Sequence, residues 1–244
     1  MPALYDSIGQ SYNYSRQTDP RLAAVLHQRL ERAETILNIG AGAGSYEHND
    51  RYVVAAEPSE TMLAQRSSGA APAVQATAEC LPFANNSFDA AMAVLTIHHW
   101  SDWRRGVDEA LRVANGRLAL LTWTGFPNGF WLLDYFPEIE ALDVPLFPTV
   151  DELASSMGKL AVDPLPIPAD CEDGMLCAFW QRPQAYLNPK VREGISTFSK
   201  LERVEERISQ LAADLASGEW HRRNSDLLEQ DNADYGYRVV SCGL

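Results

Sequence analysis

The chain has 244 residues, of which 46% are apolar and 22% are charged, a composition typical of a globular protein and unlike that of disordered or fibrous chains. Asp and Glu number 33 against 20 Lys and Arg, so the formal net charge is −13. This acidic balance argues against a protein that coats nucleic acid or an anionic membrane, because either function requires a basic face. We therefore expect a small-molecule partner, no nucleic-acid partner and no membrane partner; the oligomeric state stays open.

The N-terminal residues lack the basic start and apolar run of a secretion signal, and no stretch approaches the ~18 apolar residues of a membrane span. The four cysteines show no C-x-x-C spacing, and a chain of this length does not need disulfides. We predict a cytoplasmic location and reduced thiols, with Cys80 and Cys242 as small buried residues.

Strand and helix patterns alternate through the first half of the chain. Asp19 and Pro20 predict the start of a helix over 20–33, and Ser59 and Ser101 are candidate N-caps of two later helices. Short apolar runs between them predict buried strands at 35–39, 52–56, 88–95 and 118–123. Strands separated by helices form parallel sheets covered on both faces, so we predict a doubly wound α/β sheet.

The second half has fewer strand patterns. Thr149 and Glu152 predict a capping box, and an edge strand broken by prolines is predicted over 162–167. An amphipathic helix is predicted over 201–215, and a final strand over 235–241. No repeat or low-complexity linker is present, so we expect one domain over 1–244 with a helical insertion.

A glycine-dense turn follows the first predicted strand, in the segment Ile36-Leu37-Asn38-Ile39-Gly40-Ala41-Gly42-Ala43-Gly44. Glycine admits positive φ and lets a ligand approach the backbone without meeting a Cβ atom. Glu57, 17 residues after Gly40, ends the second predicted strand and suits a carboxylate that holds two ribose hydroxyls. A dinucleotide site places its third glycine at position 45, which is Ser45 here. Taken alone, this turn fits either of two nucleoside cofactors, a dinucleotide or S-adenosylmethionine.

Four further segments, together with the glycine turn, resemble motifs of one enzyme family. The G-x-G-x-G pattern resembles motif I of the class I S-adenosylmethionine-dependent methyltransferases. Ala76-Thr77-Ala78-Glu79-Cys80-Leu81-Pro82-Phe83, followed by Asn86-Ser87-Phe88-Asp89-Ala90-Ala91, resembles the "G-D-A-E-x-L-P-F … S-F-D" stretch of the type 11 group, which includes quinone C-methyltransferases and trans-aconitate methyltransferase. Glu109-Ala110-Leu111-Arg112-Val113 resembles the group's "E-x-x-R-V" helix, and Tyr12-x-x-x-Arg16 resembles its cofactor-covering helix.

The resemblance implies a Rossmann-like seven-stranded class I methyltransferase fold and S-adenosylmethionine-dependent methyl transfer to a small molecule by in-line displacement. It places the cofactor core in 1–124 and a helical substrate cap in about 170–230, inserted before the last strand. Asn38 and Thr77 stand where the family usually has Asp, which predicts weaker cofactor binding. The cofactor-binding residues that it implies are Tyr12, Arg16, Asn38, Gly40, Ala41, Gly42, Glu57, Pro58, Met62, Thr77, Ala78 and Leu95.

Two adjacent histidines are the candidate catalytic residues. His98 and His99 follow the strand that carries Leu95, a position that faces the transferred methyl group in the family. An imidazole with an unperturbed pKa near ~6.5 suits a general base, although packing or substrate hydrogen bonding are alternative roles. No third ligand accompanies the pair, so we predict no metal. The candidate residues for an aromatic pocket are Tyr5, Tyr12, Tyr14, Trp100, Trp123, Phe130 and Trp131.

Two other functions stay open at this point. A nucleotide-binding oxidoreductase is disfavoured by Ser45 and by the lack of a recognisable Tyr-x-x-x-Lys pair. A non-catalytic relative that binds S-adenosylhomocysteine is kept open by Asn38 and Thr77. Whether the acceptor atom is N, O, S or C is undetermined, because one cofactor half serves all four chemistries.

Overall fold

The computed structural model describes the backbone of residues 12–243 and the side chains of residues 14–243. Elements of the first half follow the predicted alternation, and the strands at 35–39, 52–56 and 118–123 have the predicted bounds. A 3₁₀ turn covers Ile97–His99. The elements are α1 Tyr12–Ser15, α2 Pro20–Arg29, β1 Thr35–Ile39, β2 Tyr52–Ala56, α3 Glu60–Ala64, β3 Ala73–Val74, β4 Ala90–Val94, α4 Trp103–Val113 and β5 Leu118–Trp123.

The second half contains short helices and the last strands. Further 3₁₀ turns cover Trp131–Asp134, Val144–Leu146, Pro183–Leu187, Ser196–Lys200 and Ser225–Glu229. The elements are α5 Glu138–Asp143, α6 Val150–Met157, β6 Ala161–Pro164, β7 Ile167–Pro168, α7 Pro189–Glu193, α8 Val204–Ser217, α9 Glu219–Arg223, β8 Asn232–Ala233 and β9 Tyr237–Cys242.

Most predicted helix caps are confirmed. The side chains of Asp19 and Ser59 accept hydrogen bonds from the first turns of α2 and α3, and Thr149 forms the predicted capping box. The prediction of Ser101 as the cap of α4 was wrong, because Asp102 accepts from the backbone N–H of Arg105. The Ser101 hydroxyl donates instead to the Glu79 carboxylate at 2.9 Å.

Several predicted boundaries also differ: β4, α8 and β9 begin two to three residues later than predicted. Helix α2 ends at Arg29 rather than at residue 33, because the chain turns tightly, with Ala33 N donating to Leu30 O, before it enters β1. The predicted edge strand 162–167 divides into β6 and β7, which belong to different sheets. Pro164 and Pro166 explain the division, since proline has no N–H to donate to a sheet.

Within residues 12–243, seven strands form one sheet in the order β3-β2-β1-β4-β5-β9-β6, and β7 pairs with β8 separately. Strand β9 runs antiparallel to both of its neighbours, and the other pairings of the large sheet are parallel. This order confirms the predicted seven-stranded Rossmann-like sheet. It also brings the carboxyl ends of β1, β2 and β4 to one edge.

Alternate residues of the central strands enter two separate cores, as expected for a sheet covered on both faces. One core contains Ile36, Met92 and Leu121 together with the apolar side of α2, and the other contains Leu37 and Leu120 together with α4 and α6. Across residues 12–243, no helix combines the length and the apolar character needed to cross a membrane.

All four cysteines are free thiols. Cys171, Cys177 and Cys242 are buried, as predicted for Cys242. The prediction that Cys80 is buried was wrong, because this residue lies in a surface turn in which its N–H donates to Thr77 O.

Candidate active site

The glycine turn lies where β1 ends, and the backbone N–H groups of Gly40 and Ala41 donate to Ala56 O at 2.8 and 3.2 Å. Gly40 has φ +66°, and a Cβ atom there would lie 2.2 Å from Thr96 Oγ1. Gly42 also has a positive φ, +54°. Glycine is therefore required at the first position by both conformation and space.

Glu57 completes this edge of the sheet. Its side chain is buried, and its two carboxylate oxygens accept hydrogen bonds from Gly42 N and Ser59 N, both at 2.8 Å. Hydrogen bonds to a carboxylate are strong, so the group is held in place before any ligand arrives. A carboxylate has about four acceptor sites, so it can accept more hydrogen bonds than these two. The turn and the carboxylate together fit the ribose of a nucleoside-bearing cofactor.

A buried ion pair that was not predicted supports the glycine turn. Arg66 pairs with Glu47 at 2.6 Å and donates to Gly42 O at 3.2 Å, and Asn38 Nδ2 lies 3.4 Å from Glu47 Oε1. An Asp at position 38 would place a second carboxylate against Glu47, and like charges at that distance repel. Asn38 is thus explained by its neighbour, and its predicted role in cofactor binding remains a prediction.

The residues predicted beside adenine surround the end of β2. Met62 is buried, and its Cε would lie 3.3 Å from a Cβ on Gly42, while Pro58 is half-buried. Thr77 is exposed and Ala78 is buried. Ala76 N donates to Glu57 O at 3.3 Å, which brings this loop next to the carboxylate strand end.

Asp173 connects three segments that the sequence places far apart. Its carboxylate accepts from Arg16 Nε at 2.6 Å and from the hydroxyl of Tyr46 at 2.9 Å. Tyr46 follows the glycine turn, and Arg16 follows α1. The sequence predicted Arg16 as a cofactor-covering residue but contained no periodic or motif signal for Tyr46 or Asp173. The side chain of Tyr12, also predicted there, lies outside the described residues.

A cavity of about 60 Å³ lies beside these elements. Leu95, which follows β4 and has the unusual φ of +48°, contributes to its wall together with His98. The cavity is lined by Arg16, Leu95, His98, Trp123, Asp143, Phe147, Met175, Leu176, Ile195, Ser196, Thr197 and Tyr237.

The two histidines differ in their relation to this cavity. Among the described residues, His98 lines it and His99 does not, although their ring centroids are only 3.8 Å apart. His98 stacks on Phe147 at 4.2 Å, and its buried Nδ1 has no hydrogen-bond partner in the described part of the chain. Burial lowers the pKa of His98 well below 6.5, with smaller contributions from His99 and two cationic side chains. Burial also lowers the pKa of His99 to about 4.

Among the described residues that were predicted to form an aromatic pocket, Trp123 lines the cavity. Tyr14 is 54% exposed, with Lys190 Nζ 5.4 Å from its ring, and Trp100 packs against Gly106. Phe130 and Trp131 belong to the buried core instead, because their rings pack against other aromatic side chains. Tyr5 and the side chain of Tyr12 lie outside the described residues.

No group of three His, Cys, Asp or Glu side chains within residues 12–243 is arranged to hold a metal ion. The site within the described chain therefore consists of the glycine turn, Glu57 and the adjoining cavity.

Comparison with known proteins places these features in a family. Residues 37–120 match the family model described as "Methyltransferase domain". The chain is 29% identical over 130 residues to a demethylmenaquinone methyltransferase of Corynebacterium urealyticum, a match that covers 48% of this chain and 56% of that protein. The chain spans 56 to 63% of the length of the curated relatives it matches.

Two solved structures resemble the whole chain. A putative methyltransferase from an antibiotic biosynthesis pathway of Anabaena variabilis has a TM-score of 0.87 and 30% identity, covering 94% of this chain and 99% of that one. A phosphoethanolamine N-methyltransferase of Haemonchus contortus, solved with S-adenosylmethionine, has a TM-score of 0.55 and 14% identity, covering 97% of this chain and 56% of that one. The second likeness concerns the fold alone.

Proposed function

This chain belongs to the class I S-adenosylmethionine-dependent methyltransferases, and we propose that it methylates a small molecule held in the cavity beside His98. The observation that carries the proposal is the position of this cavity. Leu95 and His98 follow β4, at the same sheet edge as the Gly40 turn and Glu57. Open α/β sheets bind their ligands at this edge, so cofactor and acceptor would meet beside His98.

The cofactor residues proposed here keep their predicted roles. Gly40, Ala41 and Gly42 would pass under the methionine and ribose groups, and Glu57 would accept hydrogen bonds from the ribose hydroxyls. Because Gly42 N and Ser59 N already hold this carboxylate, little ordering is needed on binding. When bound, S-adenosylmethionine supplies an electrophilic methyl group on a sulfonium.

The chain would contribute orientation and a neutral imidazole that can hydrogen-bond to the acceptor. Walls from β4, β5 and the second half of the chain restrict the acceptor to a few orientations, and holding reactants in line accounts for a large part of such catalysis. Burial lowers the pKa of His98, so its imidazole is neutral at pH 7 and would act as a hydrogen-bonding group rather than carry a charge. His99 would then maintain the position of the His98 ring, which it contacts.

Several features support a small acceptor. We propose that residues 170–230 act as the substrate cap, and Met175, Leu176 and Ile195 within them line the cavity. The net charge of −13 disfavours a nucleic-acid acceptor. One relative is named for demethylmenaquinone and another for an antibiotic pathway, both of which concern small molecules. A cytoplasmic location remains a prediction from the sequence.

Calorimetric titration of the full chain with S-adenosylhomocysteine tests the cofactor site, with NAD as a parallel control. We expect binding of the former alone. Glu57→Ala is expected to weaken it about 10- to 100-fold, or roughly 1–3 kcal/mol, because the ribose loses a charged acceptor. Glu60→Ala, at a nearby exposed carboxylate, is the matched control and should leave the affinity unchanged. Unchanged affinity in Glu57→Ala would remove that residue from the site.

Acceptor-dependent release of S-adenosylhomocysteine, measured across a panel of small molecules, tests the second half of the proposal. Release with any of them that is lost in His98→Phe supports methyl transfer in this cavity. Release that survives the substitution undiminished would contradict the role proposed for His98.

A further inference from the structure

The ion pair beneath the glycine turn has a further role. Resting on the proposed function, we propose that Arg66 and Glu47 are positioning residues for the cofactor, and that they hold the glycine turn in its binding shape only while the cluster of Asn38, Glu47 and Arg66 carries no net charge. The side chains of Arg66 and Glu47 are 7% and 9% exposed, so they act through the turn rather than by direct contact with the cofactor.

Gly42 is the residue through which the pair acts. Its N–H donates to Glu57 Oε2 at 2.8 Å, and its carbonyl oxygen accepts from Arg66 Nη1 at 3.2 Å. Glycine has more backbone conformations open to it than any other residue, so the single conformation at φ +54° is kept by bonds from outside the turn. A turn that is fixed at both its donor and its acceptor loses little freedom on binding. Arg66 therefore does for the carbonyl of Gly42 what Glu57 does for its N–H.

Glu47 extends this support to a second segment. Its Oε1 accepts from Arg66 Nη2 at 2.6 Å, and its Oε2 accepts from Ala71 N at 2.9 Å. Arg66 Nη2 also donates to Ala71 O at 2.8 Å. Ala71 leads into β3, in which Val74 O accepts from Glu57 N at 3.1 Å. The ion pair thus joins the glycine turn to the strand end that carries the ribose-binding carboxylate.

Charge balance explains the third member of the cluster. Asn38 is 1% exposed, and its Nδ2 donates to Glu47 Oε1 at 3.4 Å, the same oxygen that accepts from Arg66. The amide adds a donor without a charge, so one cation and one anion remain. A carboxylate at position 38 would leave a buried negative charge without a counter-charge, which is costly. It would be tolerated if position 47 were uncharged, because Arg66 would again have one anionic partner.

Moving the negative charge from position 47 to position 38 tests the proposal. Asn38→Asp gives the cluster a net negative charge, and Glu47→Gln gives it a net positive charge. We expect each to raise the Kd of S-adenosylhomocysteine about tenfold or more in calorimetric titration of the full chain. The double variant Asn38→Asp/Glu47→Gln is neutral again and should bind more tightly than either single variant. Two substitutions that merely damage the fold would instead give a double variant that binds more weakly than both.

Two substitutions of Arg66 separate its charge from its hydrogen bonds. Arg66→Met removes both and is expected to raise the Kd about tenfold or more. Arg66→Lys keeps the charge, but its single nitrogen cannot replace the two that bond Gly42, Glu47 and Ala71, so an intermediate Kd is expected. If Arg66→Met fails to fold, Arg66→Lys and the charge exchange still decide the proposal.

Arg104→Met is the matched control. Arg104 also pairs with a glutamate, Glu152, at 3.1 Å, but its side chain is 58% exposed and the pair lies outside the proposed site. Exposed pairs contribute little, so the Kd of S-adenosylhomocysteine should not change.

Two results would overturn the proposal: an unchanged Kd in Arg66→Met, or a double variant that binds no more tightly than the single variants. If the unsubstituted chain does not bind S-adenosylhomocysteine, the proposed function is what fails. Urea denaturation of the same variants then decides the role of the pair, because a neutral cluster predicts that the double variant regains part of the midpoint lost in each single variant. Absence of that recovery would overturn the pair as the support of the turn.

Discussion

The proposed cofactor edge and the proposed acceptor cavity lie at the same edge of the sheet but are built in different ways. The cofactor edge consists of one turn and one strand end, where Gly40, Gly42 and Glu57 contact each other's backbone or immediate neighbours. The cavity is assembled from side chains as far apart in sequence as Arg16 and Tyr237. Under the proposed function, backbone geometry would therefore select the cofactor, whereas non-local packing would select the acceptor. This difference explains how one fold can serve many acceptors.

The largest expected effect is on the cofactor edge, which is built from backbone contacts. Gly40→Ala introduces a Cβ 2.2 Å from Thr96 Oγ1 at φ +66°, so strain and overlap together should lower the free energy of unfolding by about 2–5 kcal/mol. We also expect S-adenosylhomocysteine binding to be lost. Urea denaturation and calorimetry measure the two effects.

Gly218→Ala is the matched control for that substitution. Gly218 has φ +78° and ψ 2° with no atom within 4 Å of the added Cβ, so only the conformational cost of about 1–2 kcal/mol applies. Adding Thr96→Ala to Gly40→Ala should recover part of the loss. If the two glycine variants lose the same stability, the close packing at Gly40 is not what the turn depends on.

An intermediate effect is expected where the two regions join. Asp173→Asn leaves the half-buried guanidinium of Arg16 without its charged partner and weakens the bond from Tyr46, so a loss of about 3 kcal/mol in unfolding free energy is expected. Asp170→Asn is the control, because Asp170 also lies 2.6 Å from an arginine but its side chain is 79% exposed. Exposed pairs contribute ~0–1 kcal/mol. Equal effects of the two variants in urea denaturation would show that Asp173 does not link the regions.

The smallest expected effect depends on pH. Burial lowers the pKa of His99 from 6.5 to about 4, so the unfolded chain binds a proton at this residue more readily than the folded chain does. Its contribution to stability is therefore complete above pH 6.5 and is lost as the pH falls toward about 4. The loss should reach an order of 1–3 kcal/mol.

Comparison of His99→Gln with the unsubstituted chain isolates this term from other titrating groups. The difference in unfolding free energy between the two proteins is expected to shrink between pH 6.5 and 4. A difference that is constant over this interval would contradict a neutral, buried His99.

An element could be predicted from the sequence where it depends on residues that are close together in the chain. Strands β1, β2 and β5 have the predicted bounds because they are short apolar runs between turns. The choice between Ser101 and Asp102 as the helix cap was decided by Glu79, whose carboxylate engages the Ser101 hydroxyl. That contact joins two loops, and no pattern in either one reveals it.

Pairing of charges was the least predictable property of the site. Arg66 and Glu47 support the glycine turn, yet the sequence holds no motif for them. The interpretation of Asn38 changed for the same reason: it stands where the family has Asp, and only its contact with Glu47 explains why a carboxylate is unfavourable there.

The sequence by itself determined the alternation of strands and helices, the glycine turn, the carboxylate at the end of β2 and the resemblance to methyltransferases. These features depend on hydrogen bonds and periodicities within a few residues. Tertiary structure alone decided which charges are paired and which histidine lines the cavity. It also decided that Phe147 stacks on His98, whereas Phe130 and Trp131 pack in the core. Such properties arise from contacts between distant segments, which exist only once the sheet has brought those segments together.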